Sequence, residues 1–116
     1  MSAGYHHFVI EQGATFGQVL TLRDSSEVLI NLTGYGSAEM DLRENPESSV
    51  VVATFTTSNG RVALGGTAGT VTLSMSASDT AGLPAGDGHY DLEIVKGSSI
   101  YRILEGTYSV RRNLSR

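Results

Sequence analysis

From Tyr5 to Glu11 apolar and polar residues alternate, with Phe8 and Ile10 on one side and His7 and Val9 on the other. A period of two predicts a strand with one buried face. Gly13-Ala14 interrupts the pattern, and Phe16 to Arg23 resumes it with Phe16, Leu20 and Leu22 on a shared face. The polar cluster Asp24-Ser25-Ser26-Glu27 predicts a turn. Val28 to Leu32 is then expected to return beside the strands that start at Tyr5 and Phe16. Gly34 and Gly36 flank Tyr35, a spacing that suits a tight corner with the ring laid over a sheet edge. Ser37 to Arg43 is the clearest half-buried strand: Ala38, Met40 and Leu42 face one way, and Glu39, Asp41 and Arg43 the other.

Glu44-Asn45-Pro46-Glu47 cannot continue a ladder, because Pro46 has no donor and restricts the residue before it. Val50 to Thr57 is rich in β-branched residues and reads as a central strand. Asn59-Gly60 is a hairpin signal, both residues tolerating positive φ, so Arg61 to Leu64 is expected to return along it. Gly65-Gly66-Thr67-Ala68-Gly69 reads as a flexible loop. Thr70 to Met75 alternates again, with Val71, Leu73 and Met75 inward. Ser76 to Leu83 is the one segment that predicts a helical turn or two. Ser76 or Ser78 can cap it, Asp79 favours its first turn, and Gly82 with Pro84 stops it. Tyr90, Leu92 and Ile94 then alternate with His89, Asp91, Glu93 and Val95. A turn at Lys96-Gly97-Ser98-Ser99 leads to a last strand, Ile100 to Val110.

Composition narrows the class. A chain of 116 residues, 40% of them hydrophobic, can bury one core and no more. Its 14 glycines and 2 prolines suit an all-β protein with many turns. Without cysteine there are no disulfides, thiolate zinc sites or cysteine nucleophiles. The net charge of -4 and the absence of a basic patch argue against nucleic acid. No apolar run has bilayer length, and no signal-peptide pattern is visible at the start.

Candidate chemistry is sparse. Asp87, His89, Asp91 and Glu93 share a face and could hold a divalent metal or an acid–base pair. Neighbours on one strand face are about 7 Å apart, however, so a solvated outer face explains them better. His6 and His7 point to opposite sides of an extended segment and cannot ligate jointly. No serine sits in a nucleophile elbow, and Gly65–Gly69 lacks the Lys and Ser/Thr of a phosphate loop. The aromatic residues are spread over many elements, as in a core, where a base-stacking platform would gather them.

What recurs instead is a set of short motifs at strand ends: Glu11 to Phe16, Asn31 to Tyr35, Leu83 to Gly86, Tyr90 to Glu93 and Leu104 to Thr107. Together they resemble a family of tailed-phage proteins, the N-terminal domain of phage baseplate upper proteins and small stand-alone relatives near fibre genes. The resemblance spans roughly the whole domain and implies no catalytic residue. The resembling baseplate proteins carry a long C-terminal extension that holds the receptor-binding protein, so the likeness covers the docking module alone.

The expected fold is an immunoglobulin-like antiparallel β-sandwich of about seven to nine strands with one short helix near Ser76–Leu83. Residues 1–7 would form an N-terminal arm, 8–110 the sandwich and 111–116 a C-terminal tail. The expected role is non-enzymatic: a phage virion structural protein that docks to other virion proteins in the tail, baseplate or fibre-attachment region. A capsid cement (decoration) protein and a carbohydrate-binding module are the alternatives. No cofactor, metal, nucleic acid or membrane is called for, and a homo-oligomer or symmetric array is. The contact elements expected are Tyr5, His6 and His7 of the arm, Gly65, Gly66 and Gly69 of the loop, and Arg111 and Arg112 of the tail.

Overall fold

Alternation becomes strand almost wherever it occurs. The computed structural model describes residues 4–114. Among them run β1 (Gly4–Glu11), β2 (Phe16–Thr21), β3 (Ser37–Arg43), β4 (Ala53–Thr56) and β5 (Val62–Leu64), then β6 (Thr70–Met75), β7 (Gly86–Lys96) and β8 (Ser99–Arg111). They form a five-stranded sheet of order β1-β8-β7-β3-β4 and a three-stranded sheet of order β2-β6-β5. One short helix, α1 (Ala77–Ala81), joins β6 to β7. Ser76 caps it by accepting the Asp79 N–H, as the sequence predicts.

The inward residues of both sheets make one core. Ala38, Met40, Leu42, Leu92 and Ile94 from the larger sheet meet Val71, Leu73 and Met75 from the smaller. Phe16 of the smaller sheet stands between two rings of the larger, 6.1 Å from Phe8 and 6.2 Å from Phe55, both edge to face. Phe8 in turn lies 4.7 Å from Tyr90. A line of aromatic rings therefore ties β1, β2, β4 and β7 across the layers.

Four expectations need correction. The sheets are not wholly antiparallel: β1 pairs with β8 in parallel, Gly4 opposite Leu104 through Glu11 opposite Arg111. The chain leaves the larger sheet at Gln12, so β1 takes the last strand as its partner, and the β7–β8 hairpin fixes that strand's direction. Local alternation carries no information about direction. The segment Val50 to Thr57 is not central but supplies β4, the far edge of the larger sheet, with Val50 69% exposed.

Asn59-Gly60 is a turn, with Gly60 at φ 80°, but it does not close a hairpin. The Asn59 Oδ1 accepts the N–H groups of Thr56 and Arg61, and its Nδ2 donates to the Thr54 carbonyl. Arg61 reaches back to the Thr54 carbonyl and on to Asp79 at the start of α1. The turn thus hands the chain from one sheet to the other, and β5 pairs with β6. Val28 to Leu32 forms no strand either. One isolated bridge, Arg23 to Leu29, is all that returns, because Ile30 and Leu32 spend their N–H groups on Leu22 and Gly66.

The arm expected over 1–7 belongs to β1 from Gly4 onward, and residues 1–3 lie outside the described residues. Arg111 closes β8, and residues 115–116 of the expected tail also lie outside them.

Candidate functional site

The strand-end motifs interlock. Gln12 donates from Nε2 to the Leu83 carbonyl at 2.7 Å and accepts the Asn113 N–H at Oε1. Thr80, fully buried, shares its hydroxyl proton between the Ala14 and Ala77 carbonyls and accepts the Gly13 N–H. The Glu11–Phe16 turn, α1, the Leu83 turn and the end of β8 therefore meet in one corner. Tyr90 and Leu92 pair with Gly106 and Leu104. The Tyr90 hydroxyl donates 2.6 Å to the His6 carbonyl, and a Cβ at Gly106 would collide with that same oxygen. Burial first, then the charge of Tyr5, pushes the Tyr90 phenol well above its ordinary value, which keeps it a donor.

The Asn31–Tyr35 motif closes the other end. Asn31 Oδ1 accepts the Thr33 N–H, Gly34 takes φ 92°, and Tyr35 packs against Tyr101 at 6.0 Å with Lys96 over its ring. The side chains of these strand-end motifs are mostly consumed in holding the fold.

The expected contact residues fall into two places. Tyr5 is 72% exposed on the outer face of β1, and His6 points inward, edge-on to Phe8. His7 lies outward and bonds Thr107 and Ser109. Tyr5 and His6 stand at the rim of an open cleft of about 560 Å³ between the sheet edges, walled by Leu20, Leu22, Ile30, Ile103 and Leu104. Gly65, Gly66 and Gly69 brace that end. They form a 3-10 turn fixed by bonds from Leu22 N–H to the Gly69 carbonyl and from Leu32 N–H to the Gly66 carbonyl. At Gly69, φ 68° and the nearby Ile30 carbonyl leave no room for a side chain. The loop expected to be flexible is a packed structural turn. Arg111 and Arg112 are exposed but sit at the opposite end of the β1–β8 pair, roughly 20 Å from Tyr5 at strand rise.

The outer face of the larger sheet carries Glu39, Asp41, Asp91, Glu93 and Glu105 on adjoining strands. Arg102 pairs with Asp91 at 3.3 Å and Glu93 at 3.9 Å, and Arg43 with Asp41 at 3.7 Å. Thr54 also donates to Asp41. The charge of Asp41 and then partial burial push the Glu39 carboxyl up, with Glu93 and Asp91 adding to it. Among the described residues no three His, Asp or Glu side chains converge as a metal site. His89 and Asp91 lie on this face as expected, along a shallow groove of about 530 Å³ with Tyr5 at one end. Phe8, Phe16, Phe55, Tyr90 and Tyr108 are buried, so this groove offers a single exposed ring where a sugar platform would gather several.

Sequence reasoning missed the cleft. Ile103 and Leu104 are consecutive and both buried because the β7–β8 register slips after Leu92, and an extra residue breaks alternation with no sequence signal. Comparison with protein-family models and with curated proteins finds no match to this chain.

Proposed function

We propose that the chain is a non-enzymatic structural protein of a tailed-phage virion, an immunoglobulin-like module that docks to other virion proteins in the tail, baseplate or fibre-attachment region. What supports the reading is the use made of the motif residues. Gln12, Tyr90 and Gly106 lock the sandwich, and Thr80 of α1 joins them with its buried hydroxyl satisfied by Ala14 of the first motif. The depressions on the outer sheet face and between the sheet edges are open, and among the described residues no buried acid or histidine lines them. Function then falls to exposed faces and strand edges, and a small domain in a symmetric assembly gains from many weak contacts. Capsid cement is the same mechanism at another address on the particle.

The test is the protein content of gradient-purified particles from a phage encoding this chain, with tails and capsids separated. The chain should travel with the tails in fixed proportion. Recovery with the capsids moves it to the cement role, and particles that lack it altogether contradict the proposal.

A further inference from the structure

We propose that the free edge of β2 pairs antiparallel with the same edge of a second copy, so that the smaller sheet runs on across a twofold axis. The bond from Leu22 N–H to the Gly69 carbonyl, 2.8 Å, continues the β2–β6 ladder and fixes its phase. In an antiparallel pair, bonded and non-bonded positions alternate. Phe16, Gln18 and Leu20 therefore turn their N–H and C=O groups toward β6, while Gly17, Val19 and Thr21 turn theirs outward. All three are exposed, and the side chains of Val19 and Thr21 stand on the outer face, Val19 at 62%. β2 ends the sheet order β2-β6-β5, and nothing comes within 4 Å of a Cβ built at Gly17, so the outer face beside this edge is open.

Natural edges are guarded by shortness, charge, proline or a bulge. β5 has three residues and β4 four; β1 carries two histidines and Glu11. β2 has six residues, with no charge, no proline and no register shift against β6. A second copy fits this edge by charge. Centred on Val19, the self-pairing sets Val19 against Val19, Gly17 against Thr21, Arg23 against Thr15 and Asp24 against Ala14. No like charges meet. The outer face behind the seam, Thr72, Ser74 and Ala63, is also uncharged, so it continues from copy to copy without repulsion.

The inference deepens the assembly reading by naming a first partner, and it rests on that reading only for its use. Its test needs the purified full chain alone, so failure here leaves particle incorporation untouched. Light-scattering mass across a concentration series should approach twice the monomer value, and Val19→Lys should return it to monomer with an unchanged circular dichroism spectrum. Because the chain has no cysteine, Val19→Cys gives a second readout that does not depend on how the lysine variant folds. Under mild oxidant it should cross-link to dimer at least tenfold faster than Ala63→Cys, which is exposed on β5. A monomeric wild type at every concentration, a dimer that survives Val19→Lys, or equal cross-linking at the two cysteines would each overturn the proposal.

Discussion

The two sheets share one core and turn different surfaces outward. The five-stranded face sets Glu39, Asp41, Asp91, Glu93 and Glu105 against Arg43 and Arg102. The three-stranded face, at Gly17, Val19, Thr21, Ala63, Thr70, Thr72 and Ser74, has no titratable group. Both are strand surfaces of period two, so propensity does not distinguish them. Charge does. The larger face carries an excess of carboxylates over its arginines and so repels a copy of itself, whereas the smaller asks nothing of a neighbour but backbone bonds.

The largest effect should come from removing what joins the two faces. Phe16→Ala takes away the ring between Phe8 and Phe55 and should cost about 3–5 kcal/mol in urea unfolding. Both sheets should be lost in a single transition, and two transitions would mean that the faces belong to separate units. Thr80→Val leaves the Gly13 N–H and the Ala14 carbonyl without their partner and should cost about 1–3 kcal/mol by the same measurement.

Smaller effects separate the faces themselves. Arg102→Ala, at an exposed pair, should change stability by no more than about 1 kcal/mol, and by less in high salt. The pH response belongs to the charged face and to α1. The fold raises the Glu39 pKa, so it favours the protonated form; that contribution is present at acid pH and is lost as pH rises through the raised value. Glu39→Gln should accordingly gain slightly on wild type at neutral pH and lose the advantage in acid. Asp79 has the opposite sign. The hydrogen bond from Arg61 lowers its pKa, so its contribution holds at neutral pH and falls away as pH drops through the lowered value. Denaturation midpoints of Asp79→Asn and Glu39→Gln against pH should diverge from wild type in opposite directions, and the three-stranded face should add no pH dependence of its own.

Much of this was legible in the sequence. Met40 and Leu42, Val71 and Leu73, and Leu92 and Ile94 announce their strands and their buried faces by alternation alone, and Ser76 announces its helix by capping chemistry. Beyond the final hairpin of β7 and β8, pairing was not legible. Asn59-Gly60 has the residues of a hairpin, but the Asn59 amide and the Arg61 guanidinium spend themselves on the crossover, and no local rule shows where Arg61 will reach. The parallel partnership of β1 with β8 joins the two ends of the chain, beyond the range of any periodic signal. The glycines of 65–69 looked like slack because the left-handed backbone of Gly66 and Gly69 and their bonds to Leu32 and Leu22 appear only in three dimensions. Of the expected contact residues, Tyr5 and His6 reach the cleft, and Arg111 and Arg112 are exposed at the far end of the same strand pair.

The claim that matters most is that this sandwich works by being held, and a particle reconstruction tests it most directly. If the chain is a docking module, its density sits among other virion proteins at the tail or baseplate, with at least one of its two outer faces or edges covered. Purified particles in which no density accommodates the domain, while the isolated protein turns over a small molecule, would contradict it.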